Sequence, residues 1–170
     1  MIVNSLNSNF RVEDLPNNIL QKIYQYWLSM KGDRFIPSRA DLDPTEITGL
    51  LQYISLIDVD TNTSRYKMRL IGTETVKAMG IDVTGKYLDE MPQAEALLKK
   101  NYDWLVQEKK PYINFDRLKW SSKTYLEYYA LGLPLSENGE DVNMLMFGMY
   151  YQFPVEKRTK FYSIENRLKG

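Results

Sequence analysis

Residues 53–71 read YISLIDVDTNTSRYKMRLI and contain the clearest structural signal in the chain. The first run, 53–60, is rich in β-branched and aromatic residues and ends at a turn, 61–63. In 65–71, cationic and apolar residues alternate. Because successive side chains of a strand point to opposite faces, this alternation is typical of a strand with one buried face. The two runs therefore predict a half-buried β-hairpin.

The rest of the chain supplies helices on either side of this hairpin and then more strands. An apolar stripe at helical spacing predicts a helix over 15–31, which opens at Asp14-Leu15-Pro16. Further along we expect short helices at 44–51 and within 73–91, a long helix at 92–109, and extended segments at 112–120, 123–135 and 142–153, with Ser121-Ser122 as a turn. Two strands, a helical crossover and three more strands predict an α+β fold with one antiparallel sheet and helices on one face.

The composition excludes several classes of function. The 170 residues include no Cys and no His, which excludes disulfides, thiolate metal sites, Cys–chromophore adducts, Ser-His-Asp triads and His-ligated haem. The 22 basic and 22 acidic residues cancel, so the chain has no electrostatic footprint for nucleic acid or for an anionic membrane. We find no targeting signal and no apolar run of about 18 residues, and we expect a cytoplasmic protein.

Two motifs suggest ligand chemistry, but each lacks an essential residue. GIDVTGKY, 80–87, has the spacing of a phosphate-binding loop, but Tyr87 stands where a Ser or Thr would hold Mg²⁺. The segment from Asp58 opens like a calcium loop, but its twelfth position is Arg69, where a bidentate Glu is needed. The residues therefore predict no catalytic site, no metal and no cofactor, although an unidentified small-molecule ligand is compatible with them.

Short blocks between residues 24 and 152 form a specific combination. They are YWL (26–28), GDRFIPSRADLDP (32–44), LL (50–51), Asp58, RLIGT (69–73), GIDVTG (80–85) and PLS (134–136). In this combination the chain resembles the single-domain PAS-like proteins common in alphaproteobacteria. The resemblance implies the PAS fold, a five-stranded antiparallel sheet of spatial order 2-1-5-4-3. It also implies a module that senses small ligands, binds a cofactor or mediates protein contacts, often as a dimer through a helix before the first strand.

The residues of these blocks also have structural interpretations. We expect Gly72, Gly80 and Gly85 in turns that need special backbone dihedrals. Arg69 is expected to pair with a carboxylate, for which Asp41 and Asp58 are the candidates. Arg34 and Arg39 either clamp the connector down or recognise an anion, and we favour the clamp. The candidate structural residues are Arg34, Pro37, Arg39, Asp41, Arg69, Gly72, Thr73 and Gly85.

We divide the chain into a flexible leader (1–13), an N-terminal helical segment (14–51), a PAS-like domain (52–153) and a C-terminal tail (154–170). The first hypothesis is a non-enzymatic PAS-type sensor or interaction module of bacterial signalling that forms a homodimer, contacts an unidentified signalling protein and binds neither nucleic acid nor membrane. The apolar stripe of the first helix either packs on the domain or forms the dimer, through Ile19, Ile23 and Trp27. The alternative is a small cone-shaped isomerase or dehydratase that would use Tyr128 beside Asp116.

A ligand pocket is predicted between the sheet and the helices of 73–109. The apolar face of the second strand must be covered by this crossover, because the chain has no other large apolar element to cover it. The strands 123–135 and 142–153 are apolar on both faces, so the residues leave open which side chains point inward. An apolar pocket favours a small hydrophobic or aromatic ligand. The candidate lining residues are Met68, Leu70, Met79, Leu98, Tyr128 and Met146.

Overall fold

The structure is a computed structural model that describes residues 6–119 and 125–153. The predicted turn at Ser121-Ser122, the tail 154–170 and the first five residues lie outside this part of the chain. In chain order the main elements are α1 (Asn18–Lys31), β1 (Ile54–Asp60), β2 (Arg65–Leu70), α2 (Thr73–Met79), α3 (Pro92–Glu108), β3 (Tyr112–Lys119), β4 (Tyr125–Leu135) and β5 (Met144–Gln152). Short 3-10 turns precede and link them, at Val12–Asp14, Arg39–Asp41, Pro44–Ile47, Leu51–Tyr53 and Leu88–Glu90.

The five strands form one antiparallel sheet of order β2-β1-β5-β4-β3. This order confirms the predicted fold, and the hairpin β1–β2 lies where the alternating residues place it. The predicted helix over 44–51 is instead two 3-10 turns, Pro44–Ile47 and Leu51–Tyr53. Asp43 caps the first of them, because its carboxylate accepts the backbone N–H of Thr45 at 3.0 Å.

Helix α1 begins three residues later than the Asp-Leu-Pro signal predicts. Asn17 is its N-cap, since the side-chain oxygen accepts the backbone N–H of Leu20 at 2.9 Å. The acidic residues upstream form a separate 3-10 turn, Val12–Asp14. The helix ends at Gly32, whose φ of 56° is in the region that favours glycine.

The apolar stripe of α1 packs on the face of the sheet opposite to α2 and α3. Leu20, Ile23 and Trp27 are buried there among residues of β1, β4 and β5. A Cβ placed on Gly148 would lie 3.1 Å from Ile23 Cδ1, so the glycine allows the helix to approach β5 closely. The Trp27 indole N–H donates to the carbonyl of Pro134 at 3.0 Å.

This packing corrects the use of the stripe as a dimer contact. Ile23 and Trp27 are 0% and 2% exposed within one chain, and Ile19 is half-buried against the same cluster. Of the two interpretations that the sequence leaves open, the structure contains the one in which the stripe packs on the domain.

Asn7 and Phe10, which lie in the predicted flexible leader, contact the edge strand β3 and helix α1. The backbone of Asn7 exchanges two hydrogen bonds with Ile113 of β3, at 3.1 and 2.9 Å. Phe10 packs on Tyr24 of α1 with ring centroids 5.0 Å apart. Because β3 is an edge strand, this bridge satisfies backbone groups that an uncovered edge leaves unpaired.

Candidate functional site

A cavity of about 700 Å³ lies between the sheet and the helices α2 and α3. Its walls are mostly apolar, and its volume falls in the range of about 300–1,000 Å³ that small-molecule sites occupy. The exposed lining residues are Met79, Ile81, Lys86, Pro92 and Gln93, so the cavity opens between the end of α2 and the start of α3.

Helix α2 is held against the sheet by a very close backbone approach at its start. A Cβ on Gly72 would lie 2.6 Å from the carbonyl oxygen of Gln52 and 2.7 Å from that of Ile54. The Gly72 N–H donates to the Ser55 hydroxyl at 3.1 Å. Gly72 therefore fixes where α2 begins, and α2 supplies Thr75 to the cavity wall.

Four of the six predicted lining residues reach this cavity. Met68 of β2, Met79 at the end of α2, Leu98 of α3 and Tyr128 of β4 all lie on its wall. The placement of Tyr128 resolves the open question for β4, because Ala130 two residues further on lies on the same wall.

Leu70 does not line the cavity, and a β-bulge is the reason. Met68 lies opposite Ile57 and Leu70 lies opposite Leu56, so Arg69 is an extra residue on β2. An extra residue turns the following side chain to the other face of the sheet. Leu70 is 45% exposed.

Met146 does not line the cavity either. It is buried on the opposite face, in the cluster that contains the stripe of α1, while its neighbours Phe147 and Met149 lie on the cavity side. Strands β4 and β5 read as apolar on both faces because helices cover both faces. The expectation that one helical layer buries the sheet was therefore incomplete.

The cavity wall also contains polar groups that the sequence reading did not select. The hydroxyl of Tyr151 donates to Thr75 Oγ1 at 3.1 Å. The side chains of Tyr102, Tyr112 and Asn114 lie on the wall together with Tyr128. The sequence signal for the tyrosines is that the chain contains thirteen of them, and this number does not tell which tyrosines line the cavity.

The buried tyrosines of the wall stay protonated. Burial raises the pKa of Tyr151 to about 12. Burial also raises the pKa of Tyr102 and of Tyr112, and nearby tyrosines add to the effect. For Tyr128, burial raises the pKa first and the negative charge of Asp116 second. These hydroxyls are therefore neutral hydrogen-bonding groups near neutral pH.

A family model described as a PAS domain matches residues 16–151. The chain belongs to the PAS domain family. The resemblance to PAS domains and the fold that it implied are thus confirmed, whereas the narrower resemblance to alphaproteobacterial proteins stays a prediction. PAS domains serve as sensory modules in signalling. No curated protein matches the chain. Among solved structures, it is similar to the sensory box histidine kinase/response regulator from Burkholderia thailandensis E264, with 15% identity, a TM-score of 0.40, and coverage of 75% of this chain and 97% of that chain.

In this PAS domain the connector after α1 is clamped down by an arginine. Arg34 Nη2 donates to the carbonyl of Met30 and to Asp41 Oδ2, each at 2.6 Å. Asp41 also accepts the backbone N–H of Ser38 at 2.8 Å, and this bond is the main reason why the pKa of Asp41 is lowered. Arg39 donates to the carbonyl of Leu42 at 3.4 Å. These contacts are those of the clamp that we favoured over an anion site.

The other family-block residues have local roles outside the cavity. The buried Pro37 accepts the Ser136 N–H at 2.9 Å, and Thr73 is the exposed first residue of α2. Gly85 has a φ of 89°, as its expected turn requires. Gly72 has a φ of −60°, so its glycine is required by close approach and not by the special dihedral that we expected.

Arg69 has the expected carboxylate partner, and it is Asp58. Arg69 Nε lies 3.7 Å from Asp58 Oδ2, and the arginine side chain is 63% exposed. The pair is therefore a surface ion pair next to the β-bulge.

The register places Asp116 opposite Tyr128, which is the pair that the enzyme alternative needs. Asp116 does not line the cavity, and within the part of the chain that the structure describes no hydrogen bond joins the two side chains.

Residues 6–119 and 125–153 contain no cluster of acidic side chains able to hold a metal ion. In the same ranges, no helix has both the length and the hydropathy needed to cross a bilayer.

Proposed function

We propose that this PAS domain senses a small, mainly apolar molecule that binds in the cavity between the sheet and helices α2 and α3. The observation that carries the proposal is the cavity itself. A well-packed domain leaves few voids larger than a water molecule, whereas this space has the volume of a small-molecule site. Its opening next to Met79 and Ile81 gives a ligand a route in.

The proposed role is non-enzymatic. The chain lacks His and Cys, and the cavity tyrosines are held in their neutral form by burial. A neutral phenol surrounded by apolar groups is a poor general base near neutral pH. These features support binding and sensing over the cone-fold isomerase or dehydratase.

The test is a thermal-shift screen of metabolites and aromatic fragments, combined with native mass spectrometry of freshly purified protein. A ligand at a hundredfold excess over Kd stabilises the folded state by about 2.7 kcal/mol. Ala130→Leu places a larger side chain in the cavity and should abolish the shift. Ala96→Leu is the matched control, because Ala96 is exposed on α3 and does not line the cavity. Equal shifts in both variants, or no retained or shifting compound at all, would contradict the proposal.

We further propose that this PAS domain forms a homodimer through the outer face of the sheet, in place of the α1 stripe. An aromatic row crosses three strands there: Phe115 lies opposite Tyr129, which lies opposite Tyr150. The Phe115 and Tyr129 rings are 4.9 Å apart, and Phe115 is 44% exposed. Tyr129 and Tyr150 are half-buried, so Phe115 is the exposed member of the row. Aromatic residues are enriched at the centres of interfaces.

Sedimentation velocity of the wild type and of Phe115→Lys tests the dimer. We expect the wild type to sediment as a dimer and Phe115→Lys as a monomer. Phe35→Lys is the matched control, since Phe35 is the more exposed phenylalanine and lies in the connector after α1. A monomeric wild type would refute the dimer and would leave the row as a surface for an unidentified signalling protein.

A further inference from the structure

Four buried polar side chains on the cavity wall have no hydrogen-bond partner among the described residues. They are Tyr102, Tyr112, Asn114 and Tyr128, and each is at most 6% exposed. Every side-chain N or O atom that is sealed from solvent in the described part of the chain has a partner. The polar atoms of these four therefore keep access to open space, and the open space that their side chains share is the cavity.

The sheet holds three of these groups, Tyr112, Asn114 and Tyr128, in fixed positions, and Tyr102 lies on α3. Tyr112 lies opposite Gly132, and a Cβ on that glycine would be 2.5 Å from Tyr112 Cε1, so the ring lies flat over β4. Asn114 lies opposite Ala130 on the same two strands, and Tyr128 packs on Tyr151 with ring centroids 5.6 Å apart. A group that is fixed by its strand loses little entropy when it binds a ligand atom.

These four groups are neutral, and so is the deep part of the cavity. No Asp or Glu is among the described residues that line it, and Lys86, exposed at the opening, is the single charged one. A carboxylate or an ammonium group placed beside Asn114 would be desolvated without an opposite charge, which is strongly unfavourable. A neutral ligand oxygen has no such cost, and it satisfies buried donors that are otherwise unpaired.

We propose that the ligand is a neutral, mainly apolar molecule that carries one hydrogen-bonding oxygen, a hydroxyl or a carbonyl. Polar groups from the set Tyr102, Tyr112, Asn114 and Tyr128 bind this oxygen, while apolar wall residues such as Met68 and Phe147 enclose the remainder. This inference rests on the proposed ligand-sensing function and adds the chemical class of the ligand.

Three compounds of one shape test the chemistry: 2-naphthol, 2-methylnaphthalene and 2-naphthoate, each titrated calorimetrically at pH 7. We expect 2-naphthol to bind at least tenfold more tightly than 2-methylnaphthalene, and 2-naphthoate to bind more weakly than either. Equal affinities for the first two, or the tightest binding by 2-naphthoate, would overturn the inference and leave ligand sensing intact. Binding by none of the three, together with no retained compound in native mass spectra, would overturn both.

Conservative variants assign the recognition to these side chains. Tyr102→Phe, Tyr112→Phe and Tyr128→Phe each remove only a hydroxyl, and Asn114→Leu replaces the amide with an apolar group of similar size. We expect the preference for 2-naphthol to fall at least threefold in one or more variants, with the affinity for 2-methylnaphthalene kept. Tyr66→Phe is the matched control, because its hydroxyl donates to Asp103 and it does not line this cavity. An unchanged preference in all four variants would overturn the assignment.

Discussion

Gly72→Ala gives the sharpest test of how this PAS domain builds its cavity. The added Cβ would meet the carbonyl oxygens of Gln52 and Ile54 at 2.6 and 2.7 Å, whereas ordinary contact begins at 3.4 Å. Both obstacles are backbone atoms, which cannot rotate away as a side chain does. Either the start of α2 or the chain entering β1 would have to move by most of an ångström.

The expected cost follows from two effects. Forcing extra volume into a packed site costs about 1–3 kcal/mol and occasionally more. The movement also pulls the buried Gly72 N–H away from Ser55 Oγ, and an unsatisfied buried donor costs about 1–3 kcal/mol. We therefore expect Gly72→Ala to lower the free energy of unfolding by about 3 kcal/mol or more.

Urea denaturation measures this change, with Gly49→Ala as the control. Among the described residues, and apart from Gly49 and its two chain neighbours, no atom lies within 4 Å of a Cβ on Gly49, and its φ is outside the left-handed region. Gly49→Ala should be neutral or should stabilise the protein by up to about 1 kcal/mol, through the entropy of the unfolded chain. If the two variants unfold within about 1 kcal/mol of each other, the close approach at Gly72 does not limit the position of α2.

Three further predictions concern the packing and the charges of the domain. Ile23→Ala should lower the free energy of unfolding by about 2–5 kcal/mol and leave the sedimenting mass unchanged, because its side chain is buried within one chain; a change in mass at unchanged stability would refute this. Arg69→Ala should cost less than about 1 kcal/mol in urea denaturation and less than Arg65→Ala, whose guanidinium pairs with Asp89 at 2.7 and 2.9 Å. The pKa of Asp41 is lower in the folded than in the unfolded chain, so its contribution to stability is complete above the unfolded pKa and is lost as the pH falls through the folded pKa. Between pH 5 and pH 2 the unfolding free energy of Asp41→Asn should therefore decline less steeply than that of the wild type. Parallel curves for the two proteins would refute this prediction.

Secondary structure that is determined within one chain segment could be predicted from the sequence. Features that depend on pairing or packing with another segment could not. The alternation over 65–71 predicts β2, but nothing in it marks Arg69 as the extra residue of a bulge, because the bulge is defined by the pairing with β1. Without the bulge, the alternation predicts that Leu70 lies on the same face as Met68, in the cavity. The helical stripe of α1 predicts a helix, yet the surface that it covers is supplied by β4 and β5.

The candidate cavity was partly predictable for a related reason. Residues such as Met68 and Leu98 follow from the rule that an apolar strand face and an apolar helix face bury each other. The polar groups do not follow from that rule. Asn114 looks like an ordinary polar residue in a half-exposed strand, and only the pairing of β3 with β4 places it on the cavity wall together with Tyr112 and Tyr128.

Strand β5 connects the two halves of the domain, and we infer that a signal from the cavity passes through it. Phe147 and Met149 lie on the cavity wall, while the residues between and before them, Gly148 and Met146, lie against α1. Helix α1 packs tightly on β5, because Ile23 Cδ1 lies only 3.1 Å from the position that a Cβ on Gly148 would take. Because close-packed interiors have low compressibility and transmit strain, displacement of Phe147 by a ligand would be transmitted through the β5 backbone to α1. We therefore infer that α1, whose stripe was one candidate for the dimer contact, is instead the first element to respond to the ligand.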